Sequence, residues 1–137
     1  MADTTILLTR HGDRVPTSED LSAAGRARAL ALVEAVAEFD IVAIYSPDRQ
    51  RNLDTAAPLA TKLGLPVTIL PEFEAVPNLR GDHPGRTVIW IGNTDNLVRI
   101  YEALGGTGDP PEFYGDLYIM TLNDESQPKV EIRHYGE

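Results

Sequence analysis

Short apolar runs alternate with longer segments of mixed polarity along the chain. The runs are rich in β-branched side chains, a pattern typical of strands that are buried on both faces of a sheet. They lie at residues 4–9, 41–46, 65–70 and 87–92. A last pair of runs, 117–122 and 129–135, flanks the turn-like sequence "NDESQP" and predicts a terminal β-hairpin.

The segments between these runs carry helix signals. Helices are predicted at residues 21–39, 49–64 and 95–106. Ser22 is a suitable N-cap for the first helix and Gly64 a suitable end for the second, in which Pro58 could introduce a kink. Residues 71–86 contain three prolines and two glycines and predict a loop that could include one helical turn.

Strands that alternate with helices are typical of the α/β class. The sequence therefore predicts a three-layer α/β/α sandwich with a mainly parallel sheet, formed as a single domain by residues 1–137. Ligands of such sheets bind beyond the carboxyl ends of the strands.

The chain has 12 basic and 21 acidic residues and a net charge of −9. This charge argues against a nucleic acid or an anionic membrane as the partner, because both require a positive protein surface. The chain contains no cysteine, which excludes disulfides and thiolate metal sites. Its N-terminus lacks the features of a signal peptide, and no apolar run reaches the ~20 residues of a membrane span, so a cytoplasmic location is expected.

Polar residues follow three of the predicted strands. Arg10 and His11 close the first, Arg49 and Arg51 come shortly after the second, and Asn93 follows the fourth. The carboxyl ends of parallel strands meet at one sheet edge, where arginines and helix N-termini favour anions. Each residue alone could be an ordinary surface residue, but together they predict a phosphate site. His11 would be its nucleophile, since a neutral imidazole offers a lone pair near pH 7.

These stretches resemble a known family. "LTRHGDR" resembles the Arg-His-Gly signature of the histidine phosphatase superfamily, the phosphoglycerate mutase-like proteins. "LSAAGRARALAL" and "IYSPDRQRNLDTAAPLA" are similar to two further family segments, and "HPGRTVIWIGNTDNL" to the family's last catalytic strand. The resemblance covers almost the whole chain and points to a short bacterial-type member with the phosphoglycerate mutase-like fold.

The resemblance implies roles for individual residues. His11 matches the histidine that takes the phosphoryl group, and Arg10 and Arg51 match the two phosphate-binding arginines. Arg49 does not fit the family spacing and is interpreted as a surface charge. No metal or other cofactor is implied.

The chain departs from the family at strand four, where the usual Gly-His pair is Gly92-Asn93. Asn93 can donate an amide hydrogen bond to phosphate but cannot carry charge. His83, in the preceding loop, and His134, in the last strand, are poor substitutes by sequence, although His83 could still fold towards the site.

The general acid is a second departure, because the family's Gly-x-x-Glu-Gly pattern is absent. Glu72 and Glu74 lie in roughly the corresponding place, and Asp13 and Asp95 are rivals. Of these carboxylates, Glu74 is the preferred candidate.

The resemblance implies phosphatase-type transfer of a phosphoryl group from a small phosphoester to His11 and then to water. The alternative is a weakly active or inactive member that binds a phosphorylated ligand or a protein partner, a reading that Asn93 suggests. The sequence identifies neither the physiological substrate nor the oligomeric state.

Overall fold

A computed structural model describes residues 3–123 and 127–136. Its strands are β1 (Thr4–Arg10), β2 (Ile41–Ser46), β3 (Val67–Ile69), β4 (Thr87–Gly92), β5 (Asp116–Leu122) and β6 (Lys129–His134). Its helices are α1 (Ala23–Ala35), α2 (Gln50–Leu63), α3 (Glu72–Gly81) and α4 (Thr94–Ala103).

The six strands form one sheet in the order β3-β2-β4-β1-β5-β6. Strands β3, β2, β4 and β1 are parallel, whereas β5 and β6 are antiparallel to their neighbours. The mainly parallel sheet and the terminal hairpin are thus confirmed. Part of the predicted hairpin turn, residues 124–126, lies outside the described residues.

Two helices cover each face of the sheet, as the three-layer prediction requires. Buried residues of α1 and α2 pack on one face, against Leu7, Ile89 and other side chains of the central strands. Buried residues of α3 and α4 pack on the other face, where Trp90 and Tyr101 are the largest buried side chains. Residues of the central strands alternate between these two cores, because successive strand side chains point to opposite faces.

The prediction of a loop at residues 71–86 is wrong for most of its length, because Glu72–Gly81 form the helix α3. Ala75 and Leu79 are fully buried on the side facing the sheet. Their spacing of four residues is one helical turn, and burial of this apolar pair outweighs the cost of Pro77 inside the helix. The helix was not predicted because the prolines and glycines of this segment indicate a loop more strongly than two apolar residues indicate a helix.

Ser22 and Gly64 stand at the helix ends where the sequence predicts them. Ser22 caps α1, with its side-chain oxygen accepting from the backbone N–H of Gly25 at 3.1 Å. Gly64 ends α2 in a left-handed conformation with φ 67°, which glycine adopts without strain. Helix α2 runs through Pro58. Within the described residues, no helix has the length and apolar character needed to cross a membrane.

Candidate active site

Neighbouring strand ends bring His11 and Asn93 together. In the parallel pairing of β1 and β4, Arg10 lies opposite Gly92. The backbone N–H of His11 donates to the carbonyl of Gly92 at 3.0 Å. Asn93 is the next residue and is the N-cap of α4. The register therefore sets the candidate nucleophile beside the residue that departs from the family pattern.

The imidazole of His11 is held in one orientation. The residue is only 2% exposed, and its Nδ1 lies 2.7 Å from the carbonyl oxygen of Gly12. A carbonyl oxygen only accepts, so Nδ1 carries the proton of the neutral ring and Nε2 keeps its lone pair. Arg51 donates from its Nε–H to this Nε2 at 3.2 Å. The nitrogen available for attack therefore faces a guanidinium.

The surroundings of His11 keep it neutral. The pKa of His11 is lowered from 6.5 to about 4, chiefly because the buried imidazolium would lose its hydration. The hydrogen bond to Gly12 opposes this shift, and the positive charges of Arg10, Arg51 and Arg14 contribute to it. Near pH 7 the ring thus has its lone pair without needing a general base.

Helix α2 positions Arg51. Thr55, one turn further along the helix, accepts from the backbone N–H of Gly12 at 2.8 Å and donates to the carbonyl of Arg51 at 2.7 Å. These bonds hold the start of α2 against the backbone that follows His11. The guanidinium of Arg51 also forms an ion pair with Glu19, in the loop between β1 and α1.

Arg10 packs against the loop that precedes β5. Its guanidinium lies 3.9 Å from the ring centre of Tyr114, and its Nη1 donates to the carbonyl of Glu112 at 3.1 Å. The ring of Tyr114 in turn meets the ring of His11 edge-on, with 5.8 Å between centroids. The Nε of Arg10 is buried without a hydrogen-bond partner among the described residues. A buried donor without an acceptor is costly, so an anion at this position would stabilise it.

Asn93 lies in a cluster of buried amides. Its Oδ1 accepts from the side chains of Asn52 at 3.1 Å and Asn96 at 3.3 Å. Its Nδ2 is buried and, within the part of the chain that the structure describes, has no acceptor. The position that lacks the family's histidine thus still offers a neutral donor.

Three of the four candidate acids are held by arginines. Asp13 contacts Arg28, with 2.6 Å between Oδ1 and Nε. Glu72 and Asp95 both pair with Arg99.

Glu74 is exposed in the first turn of α3, which begins at the carboxyl edge of β3. Among the described residues, no ion pair to its side chain is seen. The preferred candidate is thus also the least constrained of the four, although no hydrogen bond links it to His11.

Glu19 and Asn52 are contact residues that the sequence reasoning missed. Glu19 stands in a polar loop with other acids, where nothing in the sequence distinguishes it. Asn52 could have been found from its spacing. It stands three and four residues before Thr55 and Ala56, on the same buried face of α2. A polar side chain on the buried face of a helix requires partners there.

Of the two remaining histidines, His83 lies away from this site. His83 precedes β4, and its loop is anchored at the amino end of β1 by a hydrogen bond from Gly85 N to Thr4 Oγ1 at 2.9 Å. That is the opposite edge of the sheet, so His83 does not replace the missing family histidine. His134 is exposed in β6, 3.6 Å from Asp116.

No group of three or more metal-ligating side chains is found in residues 3–123 and 127–136. The donors gathered here are arginines and amides, a set that suits an anion rather than a cation.

Comparison with known proteins agrees with this geometry. The profile of the histidine phosphatase superfamily (branch 1) matches residues 6–83. The protein Rv0525 of Mycobacterium tuberculosis is 36% identical over 81 residues, which are 52% of this chain and 40% of that protein. The matched region thus spans less than half the length of that relative.

Solved structures show the same fold at low identity. YhfR of Bacillus stearothermophilus superposes with a TM-score of 0.76 at 20% identity, covering 94% of this chain and 96% of that one. The protein histidine phosphatase SixA with tungstate gives 0.72 at 14% identity, covering 95% and 96%. Mycobacterial glucosyl-3-phosphoglycerate phosphatase Rv2419c with inorganic phosphate gives 0.67 at 16% identity, covering 97% of each. Because the profile matches more than half of the chain and the fold agrees throughout, the protein belongs to the histidine phosphatase superfamily.

Proposed function

We propose that the protein is a phosphatase that hydrolyses a small phosphoester through a phosphohistidine on His11. The observation that carries the proposal is the state of the His11 ring, which keeps its proton on Nδ1 and directs the Nε2 lone pair towards Arg51. Membership of the family supports the same chemistry.

In the first step, the Nε2 lone pair of His11 forms a bond to phosphorus while the bond from phosphorus to the ester oxygen breaks. The leaving oxygen takes a proton from a carboxylic acid. His11 becomes a phosphorylated imidazole, and its Nδ1–H bond to Gly12 holds the ring in place throughout. In the second step, the oxygen of water forms a bond to phosphorus while the bond from phosphorus to Nε2 breaks and its electron pair returns to Nε2. The carboxylate takes a proton from the water, and inorganic phosphate and neutral His11 are released.

Arg10 and Arg51 would bind the phosphoryl oxygens and stabilise charge in the transition state. Phosphate would displace Glu19 from Arg51, because both anions use the same guanidinium. The donors Arg10 Nε and Asn93 Nδ2, which have no acceptor among the described residues, would complete the hydrogen bonds to oxygen. Phosphate and tungstate are bound in two of the structural neighbours, which supports an anion site in this fold.

Glu74 remains our candidate for the proton donor. Its rivals are held by arginines: Asp13 by Arg28, and Glu72 and Asp95 by Arg99. For Asp13, the hydrogen bonds and charge of Arg28 outweigh burial and lower the pKa, so its carboxyl is ionised and has no proton to give.

The test is hydrolysis of p-nitrophenyl phosphate by the wild type and by His11→Ala, with Asn123→Ala as a control at the opposite edge of the sheet. We expect turnover in the wild type and the control and a loss of at least about a thousandfold in His11→Ala. The absence of turnover in the folded wild type would refute the enzymatic proposal.

Asn93 favours a second candidate function, the binding of a phosphorylated ligand with little or no turnover. The pocket has no titratable group at this position, so it lacks one group that could adjust the charge around His11. Phosphate binding without hydrolysis would support this candidate, and a gain of turnover in Asn93→His would identify the missing imidazole as its cause.

A further inference from the structure

A chain of buried hydrogen bonds leads from the sheet core to Asn93. The side-chain oxygen of Asn96 accepts from the indole Nε1–H of Trp90 at 3.2 Å and from the backbone N–H of Asn93 at 2.9 Å. Both partners are donors, so this position must be the oxygen. The Nδ2 of Asn96 then lies on the other side of the amide, where it donates to Asn93 Oδ1.

Asn52 approaches the same oxygen from α2. Its Nδ2 donates to the backbone carbonyl of Ile91 at 3.0 Å and to Asn93 Oδ1 at 3.1 Å. The carbonyl of Ile91 can only accept, which requires an N–H on this side of Asn52. Asn93 Oδ1 therefore meets two fixed donors. Turning the Asn93 amide over would set its N–H groups against both of them.

Gly92 is necessary for this arrangement. A Cβ atom at this position would lie 2.4 Å from both Asn96 Oδ1 and Trp90 Nε1. Any side chain would therefore push apart the two groups that begin the chain of hydrogen bonds. The absence of a side chain at Gly92 thus lets Asn96 hydrogen-bond to both Trp90 and Asn93.

The amide of Asn93 is therefore held in one orientation, and its Nδ2 is a buried donor. Asn93 Nδ2 has no acceptor among the described residues, and Asn93 lies beside the backbone of His11. Asn52 Oδ1 is also buried without a partner there. A leucine of similar shape would leave no such polar atom buried, so burial alone does not account for an asparagine at this position.

We infer that Asn52 is a positioning residue, which together with Asn96 holds the Asn93 amide so that its Nδ2–H donates to a phosphoryl oxygen of the ligand. The inference rests on the proposed phosphate site. In this arrangement, Asn93 supplies a neutral donor of fixed direction at the position where the family has a histidine. Asn52 acts only through Asn93 and does not touch the ligand.

The experiment measures the affinity for inorganic phosphate by calorimetry. The variants are Asn93→Ala, Asn52→Leu and their combination, and Asn123→Ala is the control. We expect roughly tenfold weaker binding in each single variant, the effect of losing one hydrogen bond to a charged group. The double variant should bind no more weakly than Asn93→Ala, since Asn52 has no effect without the amide that it orients.

A merely structural role for Asn52 gives a different result. Asn52→Leu would then bind phosphate as the wild type does, or its effect would multiply with that of Asn93→Ala, and either outcome overturns the inference. If the folded wild type binds no phosphate, the proposed site itself is wrong. Wild-type binding with an unaffected Asn52→Leu would leave the site standing and remove only the positioning role.

A second measurement needs no variant that has to fold with an altered core. In the ¹⁵N-labelled wild type, the side-chain N–H signals of Asn93 should shift when phosphate is added, and those of Asn123 should not. Unchanged Asn93 signals at a phosphate concentration that saturates the protein would overturn the inference.

Discussion

At the residue scale, the site depends on which nitrogen of His11 carries the proton. The Gly12 carbonyl fixes the proton on Nδ1, and Arg51 lies at Nε2. The same arginines that would bind phosphate also disfavour the imidazolium. One set of charges would thus serve both the proposed nucleophile and the anion.

The titration of His11 follows from this. Since burial and the neighbouring arginines lower the pKa of His11 to about 4, its ring signals in NMR spectra should titrate with a midpoint near that value. Comparison with His11→Gln assigns the signals. A midpoint near 6.5 would show that the ring is hydrated and that Arg10 and Arg51 do not act on it.

Glu19 should compete with phosphate. Glu19→Gln removes the carboxylate that pairs with Arg51, and we expect phosphate to bind about two- to fivefold more tightly, the range expected for a half-exposed ion pair. The matched control is Glu38→Gln, which removes the pair with Arg133. Equal or weaker phosphate binding in Glu19→Gln would show that the carboxylate supports the site.

Glu74 should matter most for poor leaving groups. An alkoxide needs a proton more than p-nitrophenolate does, so Glu74→Gln should slow an alkyl phosphate by about a hundredfold or more and p-nitrophenyl phosphate only slightly. Glu72→Gln is the matched comparison, since Glu72 stands two residues earlier in the first turn of the same helix. Equal losses on both substrates would remove Glu74 from the role of general acid.

At the scale of elements, the loop after His11 is tied to α1. Ser22 donates from its backbone N–H to the carbonyl of Asp13 at 2.8 Å. A side chain on Gly12 would meet the backbone of Gly25, and one on Gly25 would meet the backbone of Asp13. The side chain of Asp13 pairs with the buried Arg28, which also donates to the carbonyl of Tyr135 at 2.7 Å. This ion pair therefore joins the loop after His11, α1 and the end of β6.

Asp13→Asn should accordingly destabilise the protein. It removes the carboxylate that pairs with the buried guanidinium of Arg28, and we expect the free energy of unfolding to fall by about 2–3 kcal/mol in urea titrations. Asp40→Asn is the control, since Asp40 and Arg86 form a largely exposed pair at 3.8 Å. Equal small effects of both changes would mean that the Asp13 pair does not hold the loop.

The elements that the sequence predicted well are those with a single dominant signal. Continuous apolar strands, the Ser22 cap and the Gly64 end each act through local chemistry. Helix α3 was missed because only two buried residues mark it among prolines and glycines. Glu19 and Asn52 were missed for a related reason, since their partners come from distant parts of the chain.

At the scale of the whole molecule, a cationic site is built inside an acidic protein. The chain carries a net charge of −9, yet Arg10 and Arg51 meet beside His11. The sheet topology achieves this, because it brings the ends of β1 and β4 and the start of α2 to one edge. Neutral His11 in this setting also affects the stability of the fold.

The stability should depend on pH through His11. The unfolded state binds a proton near pH 6.5 and the folded state only near about 4, so the free energy of unfolding falls as the pH drops between these values. Over the whole interval the loss is about 3 kcal/mol.

The pKa of Asp13 extends this acid sensitivity. Burial opposes its ionisation, but the hydrogen bonds and charge of Arg28 outweigh burial and lower the pKa of Asp13 below 3.8. Its contribution is therefore present above about pH 4 and is lost at still lower pH.

Urea titrations at about pH 7 and pH 4.5 check this dependence, with His11→Gln as the comparison. The wild type should lose about 2–3 kcal/mol more than His11→Gln between these values. The same loss in both proteins would contradict a buried neutral His11.

The phosphohistidine is the central claim, and a quench experiment tests it most directly. The protein is mixed with ³²P-labelled substrate, stopped in alkali within the first turnover and digested. We predict label on the peptide that contains His11, stable in alkali and lost in acid, and no label in His11→Gln. Turnover by the wild type without any labelled protein, or label that persists in His11→Gln, would contradict the account.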